Sequence, residues 1–380
     1  MFFKKIAEIL SLYYLKLKFR KLRKNEKIDV YFSRGTFKHD IKVFTDKKCK
    51  EEYVILDMHL LRRLFRYIVP DLYLEQVICL NYQSYIHSEI KSIVDYWINI
   101  TNSHQMNLIF GGVDYFEVSI FCSREKYGKE TKYISYFHEN YTIGYVETVS
   151  INIYKDIENP FKFDELYVYG SSSYKILKPF TLDENGPFKI TMPRLKNIKE
   201  KLLNKAELTG KTKILFLAFP GYDYLAPLTF TNILLNLKPL SNKYEIFTKF
   251  KNIRQANKYK QKSGSLDNSI KFVDGDVVEY LNKSDIVVVF NSLSFYEALL
   301  SNVYIIIPNF SDTQHAENIL QESKTSLLEI SDFKTITFAN SIEELENMII
   351  SFDREIFKET YKKEKKYREK LLARKFYINV

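Results

Sequence analysis

Residues 283–308, KSDIVVVFNSLSFYEALLSNVYIIIP, constrain the possible folds of this chain more than any other stretch. Residues 286–290 are a short apolar run rich in β-branched side chains, too short for a helix and suited to a strand buried on both faces. Asn291-Ser292-Leu293-Ser294 then offers small polar residues where a helix has to begin, and residues 295–300 predict that helix. Residues 303–307 return as a second strand closed by Pro308. Strand, turn, helix and strand make a βαβ unit, and its ligand-bearing edge is the loop at the carboxyl end of the first strand. Ser292 and Ser294 at that edge have two readings. Either they cap the helix, or with its free amides they hold an anion, most simply a phosphate.

The same alternation runs through the chain. Strands are predicted at 53–58, 76–81, 107–110, 132–137 and 165–169, with helices at 60–68, 86–98 and 171–177. A second series starts with the strand 213–219, ending at Pro220-Gly221. It continues with a helix at 229–235, strands at 244–249 and 271–273, and the βαβ unit above. Such alternation argues mostly parallel sheets covered on both faces. The polar stretch with Gly186, Pro187 and Pro193 reads as an interdomain linker. The expected architecture is α/β, with two doubly wound, Rossmann-like domains facing across a cleft. The predicted divisions are a basic helix at 1–27, a first domain at 28–182, a linker at 183–210, a second domain at 211–352 and a basic helix at 353–380.

Charge is informative by location. The 380 residues carry a formal net charge of +10, but residues 1–27 hold nine Lys/Arg against Glu8 and Glu26. Residues 353–380 hold ten Lys/Arg against five acids, which leaves the middle of the chain slightly acidic. That distribution gives no contiguous basic surface for nucleic acid. Phe2, Phe3, Ile6, Ile9, Leu10, Tyr13 and Leu17 recur at helical spacing among lysines. This helix either lies on an anionic membrane or packs its stripe on its own domain. Three distant cysteines (Cys49, Cys79, Cys122) indicate neither a disulfide framework nor a zinc site, and suit a reducing cytoplasm. No cleavable leader and no membrane-spanning run is expected. Neither a G-x-S-x-G elbow, a Walker loop nor a G-x-G-x-x-G fingerprint occurs, which argues against hydrolase, kinase and dehydrogenase readings.

The sequence strand, Ser-rich turn, Glu297-Ala298-Leu299 helix, strand and Pro308 is followed by a segment bearing Asp312, His315 and Asn318. Over residues 211–340 this pattern resembles the donor-binding half of GT-B glycosyltransferases, especially those of capsule and surface-polysaccharide synthesis. The resemblance implies a nucleotide-sugar as co-substrate, no further cofactor and no bound metal. Gly221, Lys249, Ser292 and Ser294 would face the phosphates, Glu297 the ribose hydroxyls, and His315 and Asn318 the sugar or its phosphates. An inverting transfer needs a base for the acceptor hydroxyl. The expected base is Glu139 or His138 after the 132–137 strand, then Asp114 in Gly111-Gly112-Val113-Asp114. By the same resemblance the terminal helix crosses back onto the first domain. The basic ends would then touch the inner face of the cell membrane, and the acceptor would be a glycan or lipid-linked glycan. Alternatives are a sugar-nucleotide epimerase, a CDP-polyol phosphotransferase, or a non-catalytic scaffold docking on membranes. Asp274-Gly275-Asp276 spells the D-x-D used by metal-dependent transferases, but its place before a helix favours capping.

Overall fold

The computed structural model describes residues 2–20, 22, 27–35, 37–69, 80–113, 116–137, 161–168, 177–183, 189–190, 193, 195, 208–217, 236–237, 239, 242–250, 253–257, 270–289, 294–308 and 333–376. The described residues up to Pro193 form one compact unit and those from Leu195 onward form another.

In the first unit six parallel strands, β1 (Lys27–Ser33), β2 (Tyr53–Asp57), β3 (Gln105–Phe110), β4 (Lys132–Tyr136), β5 (Glu165–Val168) and β6 (Lys189–Ile190), lie in the order β2-β1-β3-β4-β5-β6. Helices α1 (Phe2–Phe19), α2 (Phe37–Thr45), α3 (Met58–Ile68), α4 (Leu80–Glu89), α5 (Lys91–Ser103) and α6 (Phe116–Phe121) accompany them. Side chains alternate across a strand, and the abundant aromatics fill both sides. Phe32 stacks on Phe110 at 4.3 Å, beside Trp97 and Phe121, while Tyr31, Phe44, Tyr136 and Tyr167 form the opposite layer.

The second unit repeats the plan with β7 (Thr212–Leu217), β8 (Tyr244–Lys249), β9 (Ile270–Val273), β10 (Ile286–Val289), β11 (Tyr304–Pro308) and β12 (Ile336–Ala339). Their order is β12-β11-β10-β7-β8-β9, again all parallel. Helices α7 (Val277–Asn282), α8 (Ser294–Leu300), α9 (Ile342–Ile350) and α10 (Arg354–Phe376) belong to it. Every residue of β10 is buried, as its unbroken run of Ile and Val requires. The opening turns of α10 pack here too. Phe357 meets Tyr304 and Phe352, and Glu364 accepts from the Thr335 hydroxyl and from the Lys334 amide at 2.6 Å.

Four local expectations change. β1 follows a basic run and was not anticipated; its Ile28, Val30 and Phe32 are fully buried. Leu80 and Asn81 open α4 rather than closing a strand, and residues 76–79 lie outside the described residues. The helix expected at 86–98 is two helices meeting at Ile90, whose ψ of 32° opens the turn without a side-chain cap. Ile86, Ile90, Ile93 and Val94 are all buried, so the apolar period runs through the break and hides it. β12 and α9 were also not foreseen, since Ile336–Ala339 is only four residues long and half of it is partly exposed. Residues 171–176 of the helix expected at 171–177, and the whole helix expected at 229–235, lie outside the described residues.

Candidate functional site

In a doubly wound sheet, ligands bind outside the carboxyl ends of the strands where the order reverses. In the second unit that point lies between β7 and β10. Leu217 pairs with Val289 on one side and with Lys249 on the other, so three strand ends stand level. The stretch singled out in the sequence therefore leaves the sheet at its switch point. α8 begins there at Ser294, and Glu297 occupies its first turn, buried at 9% exposure. Lys249 is half-buried at the end of β8, its ammonium donating to the Phe250 carbonyl at 3.4 Å. Gly221, Ser292, His315 and Asn318 lie outside the described residues.

Asp276 caps α7. Its Oδ1 accepts from the Val278 amide at 3.1 Å, Asp274 Oδ1 accepts from Gly275 at 2.9 Å, and Gly275 takes a left-handed φ of 105°. The D-x-D spelling is accounted for by a helix start.

The first unit reverses between β1 and β3. The chain leaves β1 through Arg34 and Gly35, a left-handed glycine (φ 53°), and Phe37 donates back to the Arg34 carbonyl at 3.1 Å to start α2. Arg34 Nη1 lies 3.7 Å from a carboxylate oxygen of Glu117, a fully buried side chain on α6. Arg62 and Arg66, one turn apart on α3, complete a group of charges. Burial first, then the Arg34 and Arg66 charges, hold the Arg62 guanidinium below its ordinary value, while Glu117 opposes them. Sequence reading missed this group. The available signal was Arg34-Gly35 between an alternating apolar run and a helix, the same strand-turn-helix logic used for the second half.

Gly111, just after β3, meets the Phe37 ring edge: a Cβ there would stand 2.6 Å from Phe37 Cγ. Phe37 is wholly buried and has nowhere to retreat. Gly111→Ala is therefore expected to lower stability by about 1–3 kcal/mol, read as a reduced urea midpoint. A midpoint equal to wild type would show that Phe37 has room to move. Gly112 accepts from the Ser135 hydroxyl at 3.1 Å, which ties the loop after β3 to the end of β4. Val113 and Phe137 are both buried at this edge. Asp114, His138 and Glu139, the expected bases, lie outside the described residues.

No protein-family model matches this sequence, and no curated protein does. Solved structures do match. One described as a UDP-N-acetylglucosamine 2-epimerase from Listeria monocytogenes aligns with a TM-score of 0.50 at 14% identity, covering 90% of this chain and 91% of that one. The fold is GT-B-like. An alpha,alpha-trehalose-phosphate synthase (UDP-forming) from Burkholderia vietnamiensis aligns at 0.49 and 10% identity over 92% of this chain and 94% of that one. The wall teichoic acid polymerase TagF aligns at 0.45 and 12% over 98% and 89%. At such identities a likeness speaks for the fold alone. Within this GT-B-like fold each unit carries its own switch point, lined by α8 in the second and by Arg34, Gly111 and α6 in the first. Among the described residues no group of His, Cys, Asp and Glu side chains is arranged to hold a metal ion, and no helix is long and apolar enough to cross a membrane.

Proposed function

We propose that this protein is a glycosyltransferase that moves a sugar from a nucleotide-activated donor to a bacterial surface glycan of capsule or lipopolysaccharide type. The observation that carries the reading is the level set of strand ends at Leu217, Lys249 and Val289, from which α8 leads with Ser294 and Glu297. A switch point with a helix start beside it favours a phosphate, and a carboxylate one turn in suits ribose hydroxyls. Ser292, Gly221, His315 and Asn318 would complete the donor cradle without a metal, and the nucleotide-sugar is the sole co-substrate. Donors fixed before reaction stabilise the charge that grows on the departing phosphate, which lowers the barrier more than it tightens the ground state. The first unit would hold the acceptor, with Glu139, His138 or Asp114 taking its hydroxyl proton as the sugar carbon is attacked. Contact with the inner face of the cell membrane through the basic ends belongs to the same reading.

The test is calorimetric titration with UDP-, CMP-, GDP- and CDP-sugars. One of them should bind saturably, and Ser292→Ala and Glu297→Ala should each weaken that binding about tenfold to a hundredfold. Inversion of a sugar carbon without any acceptor would replace transfer with epimerisation. Failure of all four to bind would leave a scaffold.

A further inference from the structure

α1 carries two apolar stripes. Ala7, Ser11, Leu15 and Phe19, four residues apart, are buried against the first unit, where α1 packs on α3 and α5. Phe2, Phe3, Ile9, Leu10, Tyr13 and Leu17 point the other way, with 48–72% of their surface exposed. At helical spacing these six span an arc of about 120° on the side opposite the buried stripe. Lys5 and Lys16, both exposed, border one side of that arc, and Arg20, also exposed, follows the end of the helix. Glu8, the one acid of α1, is turned inward and accepts from the Ser92 hydroxyl.

The helix is welded in place. Lys4 pairs with Glu89, Glu8 with Ser92, the Asp57 amide donates to the Tyr14 hydroxyl at 2.7 Å, and Phe19 packs edge-on against Trp97 at 5.6 Å. Asp57 ends β2, and Ser92 opens the helix that descends toward the start of β3, so these anchors lie at the carboxyl edge of the first sheet. This is the edge that carries the β1–β3 switch point.

Buried packing explains one stripe and leaves the other facing solvent. An exposed apolar arc bordered by cations and lacking an exposed acid complements an anionic lipid surface: the rings enter the acyl boundary while the ammonium groups reach the headgroups. Pairing with a second copy through the same face would bring like-charged borders together, which disfavours it. We propose that α1 seats the first unit on an anionic bilayer through this outward stripe, and so sets the carboxyl edge of the first sheet beside the membrane for a lipid-linked acceptor. The acceptor clause rests on the transferase reading; the docking itself does not.

The experiment is co-sedimentation of the full chain with vesicles of phosphatidylcholine alone or mixed with phosphatidylglycerol. Wild type should sediment with the mixed vesicles. The combined Phe3→Ser, Ile9→Ser and Tyr13→Ser variant should lose about tenfold or more in partitioning, and Lys5→Gln or Lys16→Gln about fivefold each. These positions are exposed, so the variants should melt as wild type does. Equal sedimentation of wild type and triple variant overturns the proposal, as does wild type remaining in solution with both vesicles. A concentration-dependent dimer that the triple variant abolishes overturns it in favour of a second copy. The nucleotide-sugar titration, run on both forms, reads the donor site separately. Docking lost with binding retained supports the proposal in full, whereas docking without any nucleotide binding overturns its acceptor clause alone.

Discussion

Asp285→Ala is expected to destabilise the second unit by about 3 kcal/mol. Asp285 immediately precedes β10 at 4% exposure, and its carboxylate takes three strong hydrogen bonds. Arg354 grips it with a fork, Nε to Oδ1 at 2.8 Å and Nη2 to Oδ2 at 2.9 Å, while the Lys213 amide donates to Oδ2 at 2.9 Å. The same guanidinium donates to the Gly210 and Lys211 carbonyls at 3.3 and 3.4 Å. One carboxylate thus joins the starts of β7, β10 and α10 at the edge opposite the candidate site. Truncation leaves a half-buried guanidinium and a backbone amide without their acceptor, and the loss of a buried partner costs more than the net value of the pair. Arg354 keeps a fifth of its side chain in water, which holds the expected cost near the lower end of the range for buried pairs. Glu279→Ala is the control, since Glu279 pairs with Lys283 one turn away and both are more than half exposed. It should cost less than about 0.5 kcal/mol. Urea midpoints of the two variants decide the matter; if they coincide, the fork does not hold the sheet.

Acid should weaken the first unit through His87. His87 is 4% exposed, its Nε2 faces the Ser119 and Ile120 carbonyls at 3.0 and 3.1 Å, and its Nδ1 lies 3.0 Å from the Lys126 ammonium. Nε2 therefore carries the proton and Nδ1 accepts from the lysine. Burial, and then the Lys126 charge, push the imidazole down from 6.5 to about 4. Above 6.5 the ring is neutral whether the chain is folded or not, and its full contribution is present. As pH falls from 6.5 toward 4, the unfolded chain takes up a proton that the folded one refuses, so stability drops. Each pH unit in that window removes up to about 1.4 kcal/mol, for a total of about 3 kcal/mol. Unfolding free energy followed across that window should show the slope, and His87→Gln should flatten it. An unchanged slope in the variant would mean that His87 is not held neutral.

Long apolar runs were the readable part of this chain. Residues 286–289 fall on β10 because a strand buried on both faces must be apolar along its whole length. The Asp276 cap was legible for a similar reason, since one side chain satisfies amides two residues away and needs no distant partner. The Arg34–Glu117 pair was not legible. It joins the residue after β1 to a helix after β3, and only the strand order brings the two together. The break at Ile90 was hidden because the same buried isoleucines serve the helices on both sides of it.

The pattern of apolar strands, small polar turns and helices, all local in the chain, was enough by itself to determine two doubly wound sheets, each with a loop edge suited to a ligand. Strand order was left to tertiary structure, because parallel neighbours are joined by crossovers whose destination no local residue encodes. That order decided which loops share a switch point: the one after β10 with the one after β7, and Arg34 with Gly111. Packing likewise decided the fate of α1. Helical spacing shows that its apolar residues are periodic, but only the surface of α3 and α5 selects which arc is covered and which is left to meet another phase.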